Sequence, residues 1–218
     1  MMERIICLAI GYLFGMFQTS YFIGKAHHID IRNCGSGNAG TTNALRTLGK
    51  KAGALTLVCD LLKCVVAILI VDAVFQKNCP DILPLLGMYT AAGCVLGHNF
   101  PFYMKFKGGK GIAASAGMLL ALDWRVFLIC AVVFFVLFFT THYVSLGSVC
   151  AYLTALVCFI AFGAAGSYGM KLNQTIEMDV VMGLMTVLAI YRHKANISRL
   201  MKGNENKVFL GKSGQKKG

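Results

Sequence analysis

Seven apolar runs divide the chain: Ile5 to Gly24, Ala52 to Phe75, Leu83 to Leu96, Ile112 to Leu122, Val126 to Thr140, Leu146 to Ala165 and Val180 to Tyr191. A helix crossing a bilayer needs about 20 apolar residues. Inside hydrocarbon only structures that satisfy their own backbone hydrogen bonds survive. Together these point to an all-α, polytopic membrane helix bundle of about seven spans. The third, fourth, fifth and seventh runs are short as marked, so they borrow flanking residues or one of them is re-entrant. Composition agrees, with 57% hydrophobic and only 14% charged residues in 218, against about 25% charged in a soluble domain. The opening "MMERIICLAIGYLFGM" lacks a small-x-small cleavage site and its apolar run continues to Ile23, so it reads as a retained first span.

The net charge of +12 would suggest nucleic acid in a soluble protein. In a membrane protein it reports sidedness. Sixteen Lys and Arg fall on one set of alternate loops and the tail, four on the other (Arg4, Lys77, Arg125 and Lys171), and Lys63 lies within a span. The positive-inside rule places the rich side in the cytoplasm, the N-terminus outside and the C-terminus inside. Residues 1–210 read as one domain and 211–218 as a basic, disordered tail near anionic lipid. Nine cysteines scattered through apolar runs give neither a disulfide framework nor metal spacing.

Four polar stretches land on the rich side: "GSGNAGTTNALR" (35–46), "GHNFPFYMKFKGGKG" (97–111), "THYVSLGS" (141–148) and "YRHKANISRLMKGNENK" (191–207). In the first, Gly35, Gly37 and Gly40 leave backbone amides free to converge on an anion. Ser36, Asn38, Thr42 and Asn43 add neutral donors, and Arg46 adds a planar fork suited to phosphate. In the second, Lys107 and Lys110 flank Gly108 and Gly109, which reads as a flexible backbone cradle carrying two point charges. His98 sits at the membrane boundary inside that motif. In the third, Ser145 and Ser148 open a span. In the fourth, Arg192, Asn196 and Arg199 share a face if the helix continues, with His193 beside Asn196. In the second motif, mobile amides and cations with no carboxylate nearby suit phosphate or carboxylate ligands and fit a cation poorly.

Two patterns mislead. "GSGNAG" matches G-x-G-x-x-G, with Asp60 twenty residues past its last glycine, but no βαβ unit surrounds it. Asp60 and Lys63, three apart within a span, read most simply as a neutralised buried ion pair facing other helices. His142 reads as an ordinary wet boundary residue.

In order and spacing, "GSGNAGTTNALRTLG", "GHNFPFYMKFKGGKG", "YVSLGS" and "RHKANISRL..GNE" resemble the bacterial acyl-phosphate:glycerol-3-phosphate acyltransferase family, PlsY, nearly end to end. The chain departs from that family at Gly15–Gln18, where Gly-Ser-x-Pro is usual, and at Thr41, Cys64 and Asn204. The missing proline puts the shape of the first span in question.

The resemblance implies a multi-pass protein of the bacterial cell membrane, with its active site on the cytoplasmic face. It would transfer an acyl group from acyl phosphate to the 1-hydroxyl of sn-glycerol 3-phosphate. The products would be lysophosphatidic acid and inorganic phosphate, the first step of phospholipid synthesis, with no cofactor, coenzyme A or metal. By the same resemblance, the Ser36–Asn43 loop would wrap the donor phosphate while Lys107, His193, Asn196 and Arg46 hold the glycerol phosphate. Ser145 and Ser148 would donate to either phosphate. Ser36, Arg46, Lys107, Ser145 and His193 are the expected catalytic residues. The remaining named positions, Gly35, Gly37, Asn38, Gly40, Thr42, Asn43, His98, Gly108, Gly109, Lys110, Ser148, Asn196 and Arg199, would bind substrate.

No H-x-x-x-x-D pair and no serine triad can be assembled from the sequence. A substrate phosphate oxygen is therefore the expected proton acceptor, with His193 as the rival. The other function class weighed is a transporter of phosphate or phosphorylated metabolites. It is disfavoured because the polar groups crowd one surface and no repeat appears.

Overall fold

The computed structural model describes residues 1–209, and the expected tail at 211–218 lies outside them. No strand occurs among the described residues. The helices are α1 (Met2–Gly15), α2 (Thr19–Ala26), α3 (Thr41–Thr47), α4 (Lys50–Phe75), α5 (Leu83–Asn99), α6 (Ile112–Leu122), α7 (Trp124–Thr141), α8 (Val144–Ala164), α9 (Leu172–Arg192) and α10 (Lys194–Met201).

Six helical stretches are long and apolar enough to cross a membrane: Met2–Ala26, Lys50–Phe75, Pro80–Met104, Trp124–Thr141, Val144–Ala164 and Leu172–Arg192. The short third, fifth and seventh runs thus do borrow flanking residues. The fourth does not: α6 has 11 residues, about 16 Å of helix at 1.5 Å per residue, roughly half a hydrocarbon core. Leu69, Val132, Val157 and Val187 stand exposed around the outside, as a lipid-facing surface requires.

Helix α5 is the axis of the bundle and packs against α1, α4, α6 and α9. Its contact with α1 is backbone to backbone. A Cβ on Gly93 would lie 2.1 Å from Leu8 O, and one on Gly11 would lie 1.9 Å from Thr90 O. Small residues allow this approach between membrane helices. Cys64, Ile68, Met88, Met118, Phe159 and Met182 form the apolar centre where α4, α5, α6, α8 and α9 meet. On the side away from the four polar motifs, Arg4 grips Glu177 through Nε at 2.5 Å and Nη2 at 2.8 Å, tying α1 to α9.

The first span breaks between α1 and α2 although the proline is missing. Gln18 stands in extended backbone at φ −106°, ψ 90°. Two side chains cap carbonyls at the opening: Lys63 Nζ donates to Phe17 O and Tyr103 Oη to Met16 O, each at 2.7 Å, while Gln18 Nε2 ties the break to α5 by donating to His98 O at 2.8 Å.

Candidate functional site

One cavity of about 1140 Å³ joins the four polar motifs to an apolar groove. Its polar end is lined by Ser36, Gly37, Asn38, Gly40, Thr42, Asn43, Arg46, His98, Lys107, Gly108, Lys110, Ser145, Ser148, His193, Asn196 and Arg199. Gly35 and Gly109, both expected to bind substrate, stand behind this lining. The groove continues between Leu57 and Leu61 of α4, Met118 of α6, Phe134 and Phe138 of α7, and Ala155 of α8. On α7 it reaches from Phe138 down to Phe127, about 16 Å of helix.

The first loop is built by Asn43, which is itself buried. Its Nδ2 donates to Ile31 O at 3.0 Å and Cys34 O at 2.9 Å, while its Oδ1 accepts from Ser36 N at 2.9 Å. Asn43 therefore differs from expectation: both amide hydrogens are committed to the loop's own backbone, and none is left for a phosphate. Gly35 and Gly37 supply the left-handed turns, with φ of 57° and 70°. They place Ser36 and Asn38 at the cavity, and the unpaired first amides of α3 follow.

The second loop also differs. Gly108 N donates to Asn99 O and Gly109 N to His98 O, each at 3.1 Å. Arg192 Nη2 donates to Gly108 O at 3.2 Å and Gly109 O at 2.7 Å. These glycines are not a flexible cradle. They are there because a Cβ on Gly109 would lie 2.1 Å from His98 Nε2, and one on Gly108 would lie 2.1 Å from His98 O. The loop is clamped so that Lys107 and Lys110 project into the cavity. Ser148 and Ser145 are likewise committed as donors, to Val144 O at 2.7 Å and to Glu205 Oε1 at 3.0 Å, so neither keeps the hydroxyl hydrogen expected for a phosphate.

The fourth motif does not continue as one helix. The chain turns at His193 (φ −100°, ψ 4°) between α9 and α10. Arg192 goes to the second loop, while Asn196 and Arg199 turn to Glu205, a residue the charge pattern did not single out. Glu205 Oε1 accepts from Ser145 Oγ at 3.0 Å and Asn196 Nδ2 at 2.6 Å, and Oε2 accepts from Arg199 Nε at 2.7 Å. Burial pushes the Glu205 carboxyl up, but these donors outweigh it and hold the pKa below its usual value. Lys110 Nζ donates to Asn196 Oδ1. The segment after α10 returns over α8, with Val208 N donating to His142 O at 2.9 Å. The His142 ring packs against that of Phe209, with centroids 4.6 Å apart.

His193 Nδ1 lies 2.8 Å from Ala189 O. A carbonyl only accepts, so Nδ1 carries the proton and the Nε2 lone pair is free. Burial, then the Lys110 charge, push the His193 pKa down to about 4, so the ring is neutral at physiological pH. Burial also lowers Lys110, to about 8. Among the described residues, Arg46 and Lys107 make no side-chain hydrogen bond or ion pair. They are uncommitted cations at the mouth. Lys105, which also lines the cavity, is equally unpaired among the described residues. Below them, Asp60 and Lys63 form the expected buried ion pair at 2.8 Å.

The family described as glycerol-3-phosphate acyltransferase matches residues 5–203. A glycerol-3-phosphate acyltransferase of Clostridioides difficile (strain 630) is 41% identical over 98% of this chain and 97% of its own. One from Lactiplantibacillus plantarum is 38% identical over 96% and 94%. The fold matches the crystal structure of PlsY, an integral membrane glycerol 3-phosphate acyltransferase, in its glycerol 3-phosphate form. The TM-score is 0.80 and the identity 33%, over 94% of this chain and 96% of that one. The lysophosphatidic acid form of PlsY matches with a TM-score of 0.77 at 32% identity, over 94% and 95%.

Proposed function

The chain belongs to the glycerol-3-phosphate acyltransferase family, and on that premise we propose that its cavity holds acyl phosphate and sn-glycerol 3-phosphate side by side. It is a multi-pass membrane acyltransferase. The observation that carries the finer reading is the continuity of the cavity, cationic at one end and apolar at the other. A long acyl chain lies in the groove along α7, and its phosphate reaches the Ser36–Thr42 loop. Arg46 and Lys107, uncommitted at the mouth, take the phosphate of the acceptor, with Lys110 behind them. The excess of Lys and Arg on these loops supports a cytosolic mouth in the bacterial inner membrane.

The 1-hydroxyl oxygen attacks the acyl carbon, the carbon–oxygen bond to phosphate breaks, and inorganic phosphate leaves. The hydroxyl proton goes to a substrate phosphate oxygen. His193 supports this by what it lacks. Its free Nε2 can accept the hydroxyl's hydrogen bond and aim it, but a pKa of about 4 makes it a poor base. A phosphate monoester dianion, with a second pKa of about 6, is the stronger acceptor. Acyl phosphate is already activated, so holding the two reactants together and neutralising their charge supply the acceleration.

The test is purified protein with labelled glycerol 3-phosphate and acyl phosphate, acyl-CoA or acyl-carrier protein. Lysophosphatidate is expected from acyl phosphate alone. Product from either thioester donor and none from acyl phosphate would refute the donor assignment.

A further inference from the structure

Three polar side chains beneath the second loop, all buried within the membrane-spanning helices, have no role in the proton transfer above: Asp60 and Lys63, and His98, which the sequence resemblance puts among the substrate-binding positions without saying what holds its proton. Ionisable groups at such a depth are costly and most often functional. Lys63 Nζ has three hydrogens and three partners: Asp60 Oδ1 at 2.8 Å, Phe17 O at 2.7 Å and His98 Nδ1 at 2.8 Å. An ammonium can only donate, so His98 Nδ1 holds a lone pair and the ring's proton is on Nε2.

This reverses a familiar arrangement. A carboxylate directly on Nδ1 would leave Nε2 as a base. Here Asp60 lies 3.8 Å from His98 Nδ1, and Lys63 occupies the bridging position. Nε2–H becomes a donor. It reaches the seam between the two glycine-containing loops, since a Cβ on Gly109 would lie 2.1 Å from His98 Nε2 and 2.8 Å from Ala39 O. His98 also borders the cavity.

We propose that Lys63, anchored by Asp60, is a positioning residue that fixes the His98 proton on Nε2, and that this N–H donates to a substrate phosphate oxygen. The two cavity histidines then have opposite polarity: His98 donates while His193, with its proton on Nδ1, accepts. The inference rests on the reading of this cavity as the phosphate site.

The test uses full-length protein labelled with 15N-histidine, the His98 signals being assigned by their loss in His98→Asn. An unprotonated Nδ1 and a protonated Nε2 are expected, with the Nε2–H signal moving when glycerol 3-phosphate is added. Lys63→Met is expected to give mixed tautomers. Should Lys63→Met fail to fold, the wild-type tautomer and a pair of His98 variants still decide. His98→Gln keeps an N–H near the ε position, whereas His98→Asn keeps an acceptor for Lys63 but its amide N–H groups end at the δ position. The KM for glycerol 3-phosphate is expected to be about tenfold higher in His98→Asn than in His98→Gln, the size of one hydrogen bond to a charged group. A proton on Nδ1 in the wild type, or equal KM values in the two variants, overturns the inference while turnover by the wild type leaves the acyltransferase reading standing. Absence of turnover by the wild type would overturn both.

Discussion

Ser145 and Glu205, sixty residues apart, meet at 3.0 Å inside the cavity, with the serine hydroxyl donating to the carboxylate. Asn196 and Arg199 end on the same carboxylate. Glu205 is therefore the anchor that fixes three cavity donors belonging to two motifs. Glu205→Ala is expected to lower stability by about 1–3 kcal/mol, chiefly through the unanchored Ser145 and Asn196. The half-exposed Arg199 adds little. Thermal unfolding in detergent reads the loss, and kcat/KM should fall with it. An unchanged melting temperature would remove Glu205 from this role.

Lys110 gives the site an alkaline limit. Burial lowers its pKa from the usual lysine value to about 8. Its charge is present below that pH and lost above it. The kcat/KM for glycerol 3-phosphate is therefore expected to fall about tenfold per pH unit above pH 8. Lys110→Arg, which keeps its charge, should lack this limb whatever its absolute rate. A wild-type profile flat to pH 10 would contradict the assignment.

His193 makes the opposite prediction. With its pKa near 4, it does not titrate in the working range. An acid limb near pH 6 would instead belong to the acceptor's phosphate. It should persist in His193→Gln, at reduced kcat. If the limb vanishes with the histidine, His193 is the base and the substrate-assisted route fails.

Much of this was legible in the sequence because hydrocarbon imposes simple demands. The apolar runs became helices, and the four polar motifs came together around one cavity. What stayed hidden was pairwise. Asn43 and Ser148 look like free donors in a string of letters, but each spends its hydrogens on nearby carbonyls. Gly108 and Gly109 look flexible, whereas the His98 carbonyl against the first and the His98 ring against the second explain their size. Glu205 carried a faint signal, as a carboxylate in a basic stretch, but only folding shows the donors that converge on it. The turn at His193, which separates Arg192 from Asn196 and Arg199, has no glycine or proline to mark it. The first span breaks at Gln18 without a proline because Lys63 and Tyr103 cap the carbonyls of Phe17 and Met16.

The central claim is that the acceptor's phosphate is held beside that of the donor by the cations Arg46 and Lys107, left uncommitted at the cavity mouth. Its most direct test is the rate of lysophosphatidate formation by Arg46→Met/Lys107→Met at saturating acyl phosphate and varied glycerol 3-phosphate. Each lost charge-assisted contact is expected to cost about tenfold or more, so kcat/KM should fall at least about a hundredfold while the protein remains folded. Esterification at the wild-type rate would contradict the account.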